Sequence, residues 1–230
     1  MIMAELVVAL DVPGARAALA LVDRLGDAVR WYKIGPVLHT ADGPAVVRAL
    51  RERGRQVFLD LKWHDIPSTV AGAVQAAVES GIGLATVHLA GGGRMLEAAA
   101  RARAGGLRLV GVGVLTSLDA DAYGIVVGRA VGDLVAEQQR LVRIGVAAGL
   151  DGYVTAAPEA RAVRAAAGAG AVIVVPGVRR AAGAAGDQVR TATPREAVEA
   201  GADYLVVGRP VAGAADPALE ARATVAEMAP

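Results

Sequence analysis

Asp60, Lys62 and Asp65 fall within six residues, inside the stretch Phe58-Leu59-Asp60-Leu61-Lys62-Trp63-His64-Asp65-Ile66-Pro67-Ser68-Thr69. Strand alternation sets Asp60 and Lys62 on one face of a strand end. A lysine held between two carboxylates stays protonated, because opposite charges favour its charged form. Such an ammonium is a poor nucleophile. It suits delivering a proton to a carbanion, or sitting beside developing negative charge. Three charges at a strand end are ordinarily a solvated cluster, but the composition argues otherwise here. Of 24 Lys+Arg, only Lys33 and Lys62 are lysines, which leaves 24 − 2 = 22 arginines. Arginine cannot give up its proton in a protein, whereas lysine can. A chain that otherwise avoids lysine keeps this one for its chemistry.

These residues need elements to hold them. The charged stretch starts as an apolar strand and ends where Pro67 opens a helix. Apolar runs predict strands over 6–10, 31–35, 57–61, 84–88, 107–115, 152–155, 171–175 and 204–207. Helical spacing and stop signals predict helices over 15–25, 44–53, 67–79, from Gly91-Gly92-Gly93 to about 103, 133–148, 158–167, 194–200 and 217–228. Residues 118–132 read as a looser connection. Eight strands alternating with helices predict a (β/α)₈ TIM barrel, residues 1–230 forming one domain. An open doubly wound sheet is the alternative, since periodicity alone does not show closure.

Composition narrows the class. The chain has 230 residues, 54% of them hydrophobic and only 3% aromatic, so Val, Leu, Ile and Ala must build the core. A formal net charge of +1 offers no electrostatic case for nucleic acid or an anionic membrane. The absence of cysteine excludes disulfides, thiolate catalysis and cysteine metal sites. The N-terminus lacks the pattern of a signal peptide, and no apolar run reaches membrane-spanning length. A soluble cytoplasmic protein is expected.

Barrel chemistry sits where strands meet the following loops. There the sequence places Asp11, Lys33, Asp60, Lys62, His88, Thr116, Ser117 and Arg209. Closure would bring them to one mouth, suited to a polar, anionic substrate. Gly208-Arg209 after the eighth strand predicts a phosphate site, since exposed backbone N–H groups and a guanidinium fork match phosphate oxygens. The small-residue-rich stretch from Gly177 to Gln188 is long for a βα loop and reads as a lid, with Arg179 or Gln188 closing on the phosphate. His88 is an acid–base group or a hydrogen-bonded scaffold residue. His64 and His39 are assigned no chemistry, and Trp31 and Trp63 read as packing residues. Three scattered histidines give no zinc signal.

Over almost the whole chain these motifs resemble the orotidine 5′-phosphate decarboxylase family. The resemblance rests on Ala9-Leu10-Asp11, Lys33-Ile34-Gly35, the Asp60-x-Lys62-x-x-Asp65-Ile66-Pro67-x-Thr69 block, Val87-His88, Leu115-Thr116-Ser117, Pro176-Gly177-Val178-Arg179, Gly186-Asp187-Gln188 and Val207-Gly208-Arg209-Pro210. It implies conversion of orotidine 5′-monophosphate to UMP and CO₂ in pyrimidine biosynthesis, by a homodimeric barrel with no metal or organic cofactor. Carried over by position, Lys62 protonates C6 of the pyrimidine and Asp60 lies beside the departing carboxylate. Lys33 and Asp65 complete the charge network, and Asp65, Ile66 and Thr69 reach into the partner's site. Asp11 and Lys33 contact the ribose, Thr116 or Ser117 the pyrimidine edge, and Arg179, Gln188, Gly208 and Arg209 the phosphate. Two other readings stand beside this one. One is a magnesium-dependent sugar-phosphate enzyme resembling 3-keto-L-gulonate 6-phosphate decarboxylase, against which Lys33 stands where a metal-holding carboxylate is needed. The other is a non-catalytic barrel that binds UMP, which would not need Lys62.

Overall fold

Eight apolar runs pair edge to edge and close on themselves. The computed structural model describes residues 4–180 and 191–229. The strands are β1 (Glu5–Ala9), β2 (Trp31–Ile34), β3 (Gln56–Trp63), β4 (Leu84–His88), β5 (Arg108–Val112), β6 (Gly152–Val154), β7 (Val172–Pro176) and β8 (Tyr204–Val207). They follow one another in chain order, and β1 pairs with both β2 and β8. That closure excludes the open sheet. Every pairing is parallel, so each connection must cross back along the outside, and helices do this. They are α1 (Ala15–Leu25), α2 (Pro36–Glu52), α3 (Pro67–Glu79), α4 (Gly92–Ala102), α5 (Ala120–Val127), α6 (Leu134–Ala147), α7 (Ala160–Ala167), α8 (Pro194–Glu199), α9 (Arg209–Ala212) and α10 (Pro217–Glu227). Among the described residues no helix is long and apolar enough to cross a membrane.

The side-chain period of two divides the core. Leu6, Val8, Leu10 and Ile34 face outward and pack with the helices. Val7, Ala9, Trp31, Phe58, Leu84, Val110, Val174, Tyr204 and Val206 face inward and form a separate cluster inside the barrel. Trp31 and Tyr204, both at strand starts, meet edge to face at 5.2 Å. They fill the N-terminal end of the cylinder. One step of two further along the strands, the inward positions turn polar at Asp11, Lys33, Asp60 and Thr86. Strand parity thus places an apolar floor under a charged mouth.

Several elements depart from the sequence expectation, among them β5, which ends at Val112 rather than at 115, and the unforeseen short α9. Helix α2 starts at Pro36 rather than Pro44, and Pro44 lies inside it beside a kink at Asp42 (φ −148°). The freed Asp42 carboxylate accepts the Ala15 N–H at 2.8 Å, where α1 begins. The connection 118–132 contains α5, capped by Asp119, which accepts the Ala122 N–H at 2.8 Å. Gly128 ends that helix in the left-handed region (φ 68°). Strand β3 runs two residues past the expected end, through Trp63. Helix α6 is capped by Asp133 as the sequence indicates.

Candidate active site

The inward residues at the strand ends form one chain of alternating charges. Lys33 Nζ lies 3.3 Å from Asp11 Oδ1 and 3.6 Å from Asp60 Oδ2. Lys62 Nζ lies 2.9 Å from Asp60 Oδ1. Three adjacent strands, β1, β2 and β3, therefore supply Asp11, Lys33, Asp60 and Lys62 in that order. Asp60 is the most constrained carboxylate of the group, its side chain 15% exposed and each oxygen facing an ammonium. A carboxylate taken out of water needs such partners, because its desolvation costs several kcal/mol. Lys62 is more accessible, at 36%. Its ammonium stands at the edge of the cavity with room to meet a substrate atom.

The main chain at Lys62 is unusual. Its φ of +50° makes it the one non-glycine residue in the left-handed region among the described residues, a conformation that costs roughly 1–3 kcal/mol. The β3–β4 register explains it. Leu59 pairs with Ala85 and Trp63 with Val87, so β3 advances four residues while β4 advances two. The extra length forms a bulge that aims Lys62 into the mouth. Its backbone N–H donates to Thr86 Oγ1 at 2.8 Å, and the Thr86 hydroxyl lies 3.1 Å from Asp60 Oδ1. Sequence reasoning passed over Thr86. Its only signal was a hydroxyl in the apolar run of β4.

A cavity of about 1110 Å³ opens above these groups. It is lined by Asp11, Lys33, Asp60 and Lys62, by Thr116 and Ser117 after β5, and by Gly177, Arg179, Gly208 and Arg209 after β7 and β8. The structure thus gathers most of the residues singled out from sequence. The Arg179 guanidinium donates to Thr191 Oγ1 at 2.9 Å, and its backbone N–H to Ala192 O at 3.0 Å. An isolated bridge between Val178 and Ala192 joins the same two segments. Residues 181–188 of the expected lid, Gln188 among them, lie outside the described residues. Arg180 is engaged by Glu220 and Glu227 of α10, at 3.2 and 2.6 Å.

Asp65 takes a different place from the one its spacing suggested. Lys62 pairs with Asp60, and Asp65 is not among its ion partners in this chain. The bulge lies between them, and Asp65 falls in the turn before α3, where its Oδ1 accepts the Ile66 N–H at 2.6 Å. Among the described residues of the chain, the lysine between two carboxylates is Lys33. Asp65, Ile66 and Thr69 are all exposed, Ile66 at 64%.

His88 is held as a scaffold residue. Its ring stacks on His64 with centroids 5.2 Å apart, and its Nδ1 accepts the Ala90 N–H at 3.2 Å. Burial, then His64 and Lys62, push its pKa below the usual histidine range. Trp31 packs in the barrel interior and Trp63 against the outer core, both as expected. Among the described residues no three His, Asp or Glu side chains converge in a way that could hold a metal ion.

Residues 4–224 match the model of the "Orotidine 5′-phosphate decarboxylase / HUMPS family". A protein of Anaeromyxobacter sp. (strain K) named orotidine 5′-phosphate decarboxylase is 52% identical over 223 residues, covering 96% of each chain. One of the same name from Moorella thermoacetica is 49% identical over 234 residues, covering 97% of this chain and 92% of its own. The crystal structure of orotidine 5′-phosphate decarboxylase from Lactobacillus acidophilus superposes with a TM-score of 0.87 at 29% identity, covering 99% of this chain and 100% of its own.

Proposed function

Because the chain belongs to the orotidine 5′-phosphate decarboxylase / HUMPS family, we infer that it converts orotidine 5′-monophosphate to UMP and CO₂, with Lys62 delivering the proton to C6. The activity is that of a carboxy-lyase of pyrimidine biosynthesis. The observation that carries the mechanism is the unbroken Asp11–Lys33–Asp60–Lys62 chain of charges at the barrel mouth.

Decarboxylation breaks the bond between C6 and the carboxylate carbon and leaves the electron pair on C6. That pair lies in the ring plane, where the π-system stabilises it poorly. The reaction in this reading uses no metal or organic cofactor, so fixed protein charge must stabilise the carbanion. The Lys62 ammonium, steered by Asp60 at 2.9 Å, provides that charge. It then gives a proton to C6, and neutral Lys62 is reprotonated from solvent. Asp60 beside the substrate carboxylate adds repulsion that is relieved as CO₂ departs.

Strand order fits a nucleotide laid across the mouth. Arg179 and Arg209, after β7 and β8, would take the phosphate. Asp11, just after β1, and Lys33, on β2, would take the ribose, and Thr116 or Ser117, after β5, the pyrimidine edge. Phosphate contacts remote from C6 supply binding energy that holds the reacting ring against Lys62. Gln188 would add to the phosphate contacts by the family pattern. The exposed Asp65, Ile66 and Thr69 fit a homodimer in which each chain completes its partner's site. The protein works in this reading as a single barrel domain in the cytoplasm.

Purified protein is treated with a metal chelator, and orotidine 5′-monophosphate is followed by ultraviolet absorbance. Conversion to UMP should persist in the wild type. Lys62→Ala should lose about 10³-fold or more in kcat while still binding UMP. A folded wild type that fails without added magnesium would sink the cofactor-free reading. An unimpaired Lys62→Ala variant would remove Lys62 from the proton step.

A further inference from the structure

We propose that Thr86 is a positioning residue for this reaction: its hydroxyl fixes both the Lys62 main chain and the Asp60 carboxylate in the arrangement that delivers the proton. The proposal rests on the reading of Lys62 as proton donor. Thr86 is fully buried on β4, between Ala85 and Val87. A hydroxyl with no solvent must find its partners in the protein. Here the chemistry dictates the direction of each bond. The Lys62 amide can only donate, so Thr86 Oγ1 accepts from it at 2.8 Å. The hydroxyl hydrogen is then committed to Asp60 Oδ1 at 3.1 Å.

Both consequences fall on the reacting group. The Lys62 amide sits where β3 slips against β4, between the Leu59–Ala85 and Trp63–Val87 pairs. There the sheet ladder offers it no regular acceptor, and the Thr86 side chain substitutes for one. This holds the left-handed turn at Lys62 (φ +50°). The hydrogen bond to Asp60 Oδ1 also stops that carboxylate from rotating. Oδ1 therefore stays on Lys62 and Oδ2 on Lys33, at 2.9 and 3.6 Å. Valine has the shape of threonine, but it would leave the Lys62 amide without its acceptor and Asp60 without its anchor.

The lysine content makes this testable without reference to turnover. Lysine-selective ¹⁵N labelling yields two backbone amide signals, from Lys33 and Lys62. In the wild type the Lys62 amide should exchange slowly. In Thr86→Val it should exchange roughly tenfold faster or more, with Lys33 as the internal reference. In the same variant kcat should fall about 10²-fold while KM and the stoichiometry of UMP binding stay close to wild type. A loss of folded protein would instead lower the stoichiometry. Thr86→Ser should keep most of kcat, and Thr86→Cys, close to serine in shape but a weak donor and acceptor, should not. The Ser and Cys pair decides the matter if the Val variant fails to fold. Wild-type kcat in either the Val or the Cys variant overturns the proposal, as does an unchanged Lys62 exchange rate. A wild type with no decarboxylase activity would overturn the functional reading instead, and the exchange rates would still decide whether Thr86 holds Lys62.

Discussion

The Asp60 carboxylate faces Lys62 at 2.9 Å and Lys33 at 3.6 Å, with its side chain mostly out of water. At that separation and burial each attraction is worth several times its value in bulk water. The charges were legible because a carboxylate and a rare lysine stand out in an apolar strand. Thr86 was not, since threonine is ordinary in strands and its cross-strand partners depend on register. After β8, the strand next to β1, Arg209 lines the same cavity. A charge-assisted hydrogen bond to phosphate is worth about 1.5–3 kcal/mol. Arg209→Ala should therefore lower kcat/KM roughly 10- to 100-fold, as initial rates at low substrate would show. A ratio unchanged from wild type would place the phosphate elsewhere.

Strands and helices were legible wherever polarity kept a single period. Helices α1 and α3 and strands β4 and β8 match their expected bounds residue for residue. Helix α5 was hidden because Ile125 and Val126 are exposed, at 83% and 70%, which blurs its apolar face. Its cap Asp119 and its terminal Gly128 were the signals available. The bulge in β3 was invisible because alternation assumes an unbroken ladder. Strand β6 shows what a short element demands. It has three residues, and a Cβ on Gly152 would collide with the carbonyl of Val172 on β7. Backbone cannot move aside as a side chain tip can. Gly152→Ala should cost about 3 kcal/mol in chemical denaturation. Gly132→Ala, with nothing within 4 Å of its new methyl, should stay within about 0.5 kcal/mol. Equal midpoints for the two variants would show that β6 and β7 can separate without penalty.

Closure of the sheet converts eight separate strand ends into one mouth. The charge chain needs only β1 to β3, but the cavity above it, lined from strand ends all round the barrel, exists on no shorter piece of the molecule. The exposed turn holding Asp65 and Ile66 extends the question beyond one chain. If Asp65 completes the partner's site, inactive Lys62→Ala and Asp65→Ala chains should complement one another. Random pairing of equal amounts makes half the dimers mixed, each with one intact site, so activity should recover to about a quarter of wild type. No recovery after subunit exchange, shown by mass or by a tag, would assign Asp65 to its own chain.

Residue order and polarity alone sufficed for the alternation of elements, the inward parity of each strand and the conspicuous Asp60–Lys62 pair. Those properties depend on near neighbours in the chain, and near neighbours are written next to each other. Which groups finally touch was settled by the fold. Lys33 reaches Asp60, and Thr86 reaches both Asp60 and the Lys62 amide, across strand pairs whose partners lie more than twenty positions apart. Those contacts depend on the register of β2 against β3 and on a two-residue slip between β3 and β4, and the cavity they face depends on barrel closure. Each arises from pairing between distant segments, which no local pattern of polarity encodes.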